Sequence, residues 1–402
     1  MIVLSDNPSS ADSPATLARS DRINVLLLIS TLEYGGAQRQ VIELANHLDP
    51  QRFNVAVCSL LDYVPLADQL REREHRLHIV RKLYKLDFTV VPRLAMLCKQ
   101  LRIDILHSYL FDADIAARLA GRLARTPVII NSERNTDYHL KHRHLAAYAI
   151  TKSAVTLVVA NSNAGADFNS RRLRMDRSRY RVVHNGVDLA RFRQQPEIGQ
   201  STRRDLGISP AEPVVGMFAS FKQQKNHALF FRAVARVLKA IPQTRILLVG
   251  DTLHGAMNRS DVYKAQMTEL MDELGIRERC LRVGNRRDVE RLYQACDVTV
   301  LSSLYEGTPN VLLESMACGV PVVATDVADN AYVVPDSRCG YVVPLHDEAG
   351  LADRISRLLT NADLRTTLGR QARSWVEQEF SIPVMVAKMA RVYDDAITAT
   401  GV

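Results

Sequence analysis

Glu306-Gly307-Thr308-Pro309-Asn310-Val311-Leu312-Leu313-Glu314 is the stretch on which the reading of this chain turns. Thr308 has an N-cap side chain, and Pro309 suits a first helical turn because its missing N–H would have been an orphan donor in any case. The pattern predicts a helix that starts here, runs through Ser315, Met316 and Ala317, and stops at Gly319, with an apolar strand from Val320 to Ala324 around Pro321. Glu306 then lies in a loop and Glu314 on the helix. Thr308, Pro309, Asn310 and Val311 make up the helix start, whose free N–H groups and positive dipole end suit a diphosphate. Glu314 lies roughly 7 to 8 Å further along the axis at ~1.5 Å per residue, a reach that suits a ribose joined to that diphosphate. Glu306 would face the group on the other side of the phosphates. Spacing alone leaves equally open that both glutamates are solvated surface residues.

The 402 residues are long for one domain and natural for two. With 47% hydrophobic and 24% charged residues, the composition is that of an ordinary soluble globular protein. Residues 1–20 are rich in Ser, Asp, Pro and Ala and read as a loose tail rather than a signal peptide. No run approaches the roughly 18 apolar residues that span a bilayer. Cys58, Cys98, Cys280, Cys296, Cys318 and Cys339 are scattered without a C-x-x-C pair, which disfavours zinc and disulfides and fits a cytoplasmic chain. The net charge is +8, and the excess lies in the first half: residues 21–188 hold 25 Lys plus Arg against 17 Asp plus Glu, and residues 189–402 hold 26 against 25. It gathers in Arg71 to Arg102 and in Arg171, Arg172, Arg174, Arg177, Arg179 and Arg181. Such a face suits anionic lipid headgroups or an acidic acceptor, with plain solvated helix surface equally open. The arginines lack interleaved aromatics or a nucleic-acid-binding module, so no nucleic-acid partner is expected.

Short apolar runs alternate with helical patterns throughout, the signature of an α/β fold with a parallel sheet flanked by helices. In the first half the strands are Ile23–Ile29, Phe53–Cys58, Asp104–His107, Pro127–Asn131 and Val155–Ala160; the helices are Ala37–His47, Val91–Gln100, Ala113–Leu123 and Leu140–Lys152. Residues 189–210 carry Gln, Pro, Gly and Ser without an apolar period and read as a linker. The alternation restarts at Pro213–Ala219 and continues to a last helix, Pro383–Thr398. The expected division is a tail at 1–20, a first domain at 21–188, the linker at 189–210, a second domain at 211–380 and a terminal helix within 381–402.

Three motifs fall in one order: Gly35-Gly36 after the first strand, Lys225-Asn226-His227 after the first strand of the second half, and the block Leu304 to Thr325 that holds the glutamates. Together they resemble the retaining glycosyltransferases of family 4, over roughly residues 22–395. The resemblance implies the GT-B fold: two Rossmann-like domains facing across a cleft, with the C-terminal helix crossing back to the N-terminal domain. It implies a nucleotide-sugar donor, UDP- or GDP-linked, bound mainly by the second domain, with no metal and no cofactor. Neither does any Asp-x-Asp cluster match a metal-bound diphosphate. A lipid-linked or saccharide acceptor is implied, in envelope polysaccharide, glycolipid or other glycoconjugate synthesis. With the basic first half, this points to the inner face of the cytoplasmic membrane, through peripheral contact with anionic lipid.

Carried over by position, the resemblance makes Glu306 and Lys225 the catalytic pair, Glu306 at the sugar and Lys225 at the diphosphate. Glu314 would hold the ribose, and Gly36 would let the backbone approach phosphate and sugar. Lys225 usually shares its work with an arginine five positions earlier. That position is Ser220 here, and Lys222 is the nearest replacement. In the loop Asn285-Arg286-Arg287-Asp288, Arg286 is placed on the nucleobase side and Asp288 is read first as a helix cap. His107 and Tyr109 stand where many relatives have two histidines flanking one residue; the second position, often nearest the reaction, is Tyr109, and His107 also reads as a buried, satisfied histidine. Glu133 and Arg134, at the end of the next strand, are candidates for lining the cleft or for an ion-paired strand end. Two other readings follow: a nucleotide-sugar-binding protein with a lapsed site, motivated by Ser220 and Tyr109, and an epimerase or phosphorylase of similar fold.

Overall fold

The computed structural model describes residues 22–84, 87–135, 141–252 and 260–401. The tail read at 1–20 lies outside the described residues, as does Leu140, the expected start of one helix. The N-terminal half runs β1 (Ile23–Ile29), α1 (Gly36–His47), β2 (Phe53–Ser59), α2 (Arg73–Arg76), β3 (Leu77–Ile79), α3 (Val90–Gln100) and β4 (Ile105–Tyr109). It continues through α4 (Phe111–Ala124), β5 (Val128–Glu133), α5 (His142–Thr151), β6 (Leu157–Ala160), α6 (Asn163–Leu173) and β7 (Tyr180–Val182). The seven strands form one parallel sheet in the order β3-β2-β1-β4-β5-β6-β7. β1 at its centre, Val25 to Ile29, is fully buried, as expected of a strand covered by helices on both faces.

The second half holds α7 (Pro196–Asp205), β8 (Val214–Phe218), α8 (His227–Ala240), β9 (Arg245–Val249), α9 (Ser260–Glu273), β10 (Cys280–Gly284), α10 (Val289–Gln294) and β11 (Val298–Leu301). Then come α11 (Asn310–Ala317), β12 (Val322–Thr325), α12 (Asn330–Val333), β13 (Gly340–Val343), α13 (Glu348–Thr360), α14 (Ala362–Glu379) and α15 (Ile382–Thr400). Its six-stranded parallel sheet has the order β10-β9-β8-β11-β12-β13. Both sheets reverse direction beside their first strand, β1 or β8, and such switch points put binding sites at the carboxyl ends of the strands. Two Rossmann-like domains so arranged are the GT-B architecture.

The expected linker is not structureless. Residues 196–205 form α7, with Pro196 in its first turn, and it packs on α10 through Gly199 and buried Thr202. A Cβ at Gly199 would meet the Gln294 carbonyl, so this helix buries itself by close backbone approach, which leaves no apolar period to read. The short strands β3, β7 and β13 and the helix α6 were likewise not anticipated. The strand expected at Val320–Ala324 begins at Val322, because Val320 is still bonded to Ser315 in the helix stop.

α15 packs within the N-terminal core: Met385, Met389 and Tyr393 join the buried set that includes Val25, Leu27, Val41 and Phe53. Burial of each such side chain contributes ~1.5–3 kcal/mol. The two crossings between domains run side by side, with Val187 N–H donating to Phe380 O (2.8 Å) and Ile382 N–H to Val187 O (3.3 Å). Among the described residues no helix is long and apolar enough to cross a membrane.

Candidate functional site

α11 begins at Asn310, and its N-cap position is Pro309, not Thr308. The Thr308 hydroxyl is drawn away from the helix because it donates to the carbonyl of Asn161 in the other domain. Other groups close over the same turn. Asn185 Nδ2 donates to Thr308 O (2.8 Å) and to Asn310 Oδ1 (2.6 Å). A Cβ at Gly307 would stand 2.7 Å from the Arg134 carbonyl, so glycine there permits the approach of the two domains. Gly36, at the start of α1, faces the Asn310 side chain.

Glu306, in the loop before α11, is buried and its Oε1 accepts from Lys225 Nζ (2.5 Å) and Ser303 Oγ (2.6 Å). Lys225 ends a single 3-10 turn, residues 223–225, just before α8. Lys222 starts the same turn, and its side chain makes no hydrogen bond or ion pair with any described residue. Burial lowers the affinity of Lys222 for its proton, and the neighbouring Lys225 cation lowers it further, against the pull of Glu306 and Glu33. Two cations therefore act on Glu306, Lys225 through a direct bond and Lys222 through charge alone. Ser220 has no long side chain to offer; its carbonyl accepts from Lys222 N–H (2.8 Å) and so shapes the turn that carries Lys222.

Glu314, in the body of α11, is also buried. Its Oε1 accepts from Arg39 Nη1 of α1 (2.7 Å) and its Oε2 from Tyr293 OH (2.9 Å). Burial and the Glu314 carboxylate both hold the Tyr293 phenol protonated, far above its ordinary range. A small cavity of about 20 Å³ opens between α1 and α11, lined by Arg39, Glu43, Asp188, Arg191, Asn310 and Glu314 among others. The domains are joined at the far end of the cleft by Asp329. Its carboxylate accepts from Asn163 N–H (2.7 Å), Ala164 N–H (2.9 Å) and His184 Nε2 (2.9 Å), all from the other domain. Burial alone would raise the Asp329 carboxyl, but these bonds together hold it below its ordinary value.

The remaining expected residues divide. Arg286 and Asp288 pair with each other at 2.7 and 2.8 Å, so Asp288 makes no side-chain cap on α10 and that reading is corrected. His107 and Tyr109 are both buried, and Tyr109 lines a small cavity with Arg134, His184, Met385 and Met389. His107 is fully buried, with Nδ1 2.7 Å from Tyr393 OH and Nε2 3.0 Å from Ser132 Oγ, and burial brings its pKa down to about 3. Tyr109 stacks on it at 4.6 Å, and its phenol is pushed up to about 12 by burial. α15 covers His107 at this point through Tyr393. Glu133 Oε1 accepts from Tyr180 OH at 3.2 Å, while Arg134 donates to the Asn185 side chain and stands at the domain junction. The one Asp-x-Asp spacing near the cleft, Asp112 and Asp114, is split between a pairing with Lys82 and a buried network. Among the described residues no cluster of His, Cys, Asp or Glu could hold a metal ion. Sequence reasoning missed Tyr293, Ser303 and Asp329. Ser303 stands three residues before Glu306, a spacing that could have suggested contact; the other two carry no local signal.

Two facing parallel sheets, with a lysine, two buried glutamates and a helix start at their junction, define a sugar-nucleotide enzyme of the GT-B class. Residues 34–191 match glycosyltransferase family 4 and residues 200–375 match the glycosyl transferases group 1. The chain belongs to this family and is a glycosyltransferase. It is 25% identical over 321 residues to the UDP-Gal:alpha-D-GlcNAc-diphosphoundecaprenol alpha-1,3-galactosyltransferase of Escherichia coli, covering 77% of this chain and 80% of that one. It is 26% identical over 318 residues to the N-acetyl-alpha-D-glucosaminyl L-malate synthase of Bacillus anthracis, with the same coverage. The fold is shared with the Anabaena protein HepE, crystallised in complex with UDP, at a TM-score of 0.81, 22% identity and coverage of 93% of this chain and 100% of that one.

Proposed function

We propose that this glycosyltransferase moves a sugar from a UDP- or GDP-sugar to a hydroxyl of a lipid-linked or saccharide acceptor, with retention of the anomeric configuration. The observation that carries the reading is the Lys225–Glu306 pair set immediately before α11, with Glu314 inside that helix. Lys225, Lys222 and the first-turn N–H groups of α11 stabilise the departing diphosphate. One such donor is worth ~3–4 kcal/mol of transition-state stabilisation. The acceptor oxygen bonds to the anomeric carbon on the face the diphosphate leaves, and the leaving phosphate oxygen takes the acceptor proton. Glu306, fixed by Ser303 and Lys225, orients the sugar hydroxyls and does not attack; a covalent sugar trapped on Glu306 would overturn this step. Glu314 holds the ribose once Arg39 yields one of its oxygens.

The name of the Escherichia coli relative, a galactosyltransferase acting on a diphosphoundecaprenol-linked sugar, favours a lipid-linked acceptor. With the basic N-terminal domain it supports work at the inner face of the cytoplasmic membrane, in envelope polysaccharide or glycolipid synthesis. Thermal-shift measurement against UDP-, GDP- and ADP-sugars tests the donor: one class raises the Tm of the wild type, and Glu314→Ala removes most of that rise. A rise that Glu314→Ala leaves intact would move the ribose elsewhere. Tight donor binding without turnover would favour the alternative of a lapsed site.

A further inference from the structure

Large apolar side chains are exposed very unequally in this molecule. Of the thirteen such residues among those described, eleven lie in the N-terminal domain, and six of them, Leu61, Tyr63, Ile79, Leu83, Tyr84 and Phe88, come from one segment of chain. Phe88 is 73% exposed, Leu83 63% and Tyr84 60%, values that leave most of each residue in water. These residues follow β2 and β3 at the carboxyl ends of the strands, the end that carries the cleft. Backbone bonds knit the loops into one surface: Leu60 N–H donates to Ile29 O, Val80 N–H to Ser59 O, Lys82 N–H to Leu60 O, and Thr31 Oγ1 to Tyr63 O. Arg93 bonds the carbonyl of Arg81, and Asp87 accepts from Leu83 N–H, which fixes the segment that carries Leu83 and Tyr84.

The surface runs up to the cleft mouth. Tyr34, 52% exposed, sits just before Gly35-Gly36 and accepts from Arg287 of the other domain at 3.0 Å. The same domain carries the charge excess, 25 Lys plus Arg against 17 Asp plus Glu over residues 21–188. Beside the rim Arg81, Lys82 and Arg93 pair with Asp62, Asp112 and Asp87, so the attraction to anionic lipid comes from the domain as a whole. Leucine and phenylalanine tips among tyrosines, on a domain that is basic, match the chemistry of a lipid headgroup layer: aromatic rings seat at headgroup depth and basic side chains meet anionic lipid.

We propose that the rim formed by Leu61, Tyr63, Leu83, Tyr84 and Phe88 seats the enzyme on an anionic bilayer, with the cleft mouth at the membrane surface where a lipid-linked acceptor arrives. This rests on the membrane-acceptor reading above and adds which surface makes the contact. The rim, not the arginine-rich stretch Arg171 to Arg181, inserts; the wider basic surface only adds attraction. Flotation of the full chain with vesicles of phosphatidylglycerol and phosphatidylcholine, against phosphatidylcholine alone, tests it. The wild type is expected on the anionic vesicles, and the triple variant Leu83→Ser, Tyr84→Ser, Phe88→Ser is expected to partition roughly tenfold less, because binding scales with inserted apolar area. Since all three side chains are exposed, the variant keeps its Tm and its donor-induced thermal shift. If wild type and variant float equally while Arg171→Ser with Arg174→Ser does not, the rim is overturned and the membrane reading stands. If the wild type stays in solution on anionic vesicles, both fall, and the donor reading is untouched.

Discussion

Lys222 is half-buried, and partial loss of water weakens its charged form. Desolvation and the adjacent Lys225 both weaken its hold on a proton, against the pull of Glu306 and Glu33, and an anion arriving beside the two lysines would strengthen it. Lys222 therefore offers the charge that Ser220 does not. Lys222→Ala should lower kcat on the order of a hundredfold, and Ser220→Arg added to it should restore most of the loss; steady-state kinetics with the preferred donor decide. An unchanged kcat in Lys222→Ala would show that the site needs a single cation. His107 is the buried, hydrogen-bonded histidine that its sequence reading offered beside the catalytic one. Its folded pKa of about 3 lies below the unfolded value of about 6.5, so its contribution to stability is present above pH ~6.5 and is lost as the pH falls toward 3. His107→Gln should be less stable at neutral pH yet lose stability less steeply between pH 6.5 and 4 in chemical denaturation.

Element by element, long periodic segments were legible and close approaches were not. β1 has the bounds that the apolar pattern implied, because its burial rests on an unbroken run of large apolar side chains. α7 escaped because Gly199 and Thr202 do the burying. The glutamates of the 306–314 stretch were placed correctly relative to the helix, but its cap was not, since Thr308 answers to Asn161 in the other domain. No sequence pattern records a partner 147 positions away. The same distance effect hid Tyr293 and Asp329. Gly307 follows from this contact: with a side chain, its neighbours Asn161 and Arg134 would have to withdraw. Gly307→Ala should raise the KM for the donor by more than it lowers the Tm, because the strain falls on the junction rather than on either core. An equal Tm loss in each domain without a kinetic change would contradict that.

At the scale of the molecule, the two domains stand closed over the start of α11, where we place the donor. Glu314 is occupied by Arg39 and Tyr293, and the cavity beside it, about 20 Å³, is too small for a nucleotide sugar. Donor entry therefore requires opening about the paired crossings at Val187 and Ile382. Asp329 ties the domains against that opening with three bonds. Asp329→Ala should enlarge the radius of gyration of the donor-free enzyme in small-angle X-ray scattering, and donor should reverse the change. Because the closed form holds the Asp329 carboxyl below its ordinary value, its tie is present above pH ~4 and is lost as the pH falls further. The central claim remains the chemistry at the junction. Release of nucleoside diphosphate from the donor that stabilises the wild type, followed with the wild type and Lys225→Ala at equal donor occupancy, tests it most directly. Steady release by the wild type and a loss of a hundredfold or more in the variant, ~3 kcal/mol or more, is the predicted result; equal release by both, or none by the wild type with any sugar nucleotide, would contradict it.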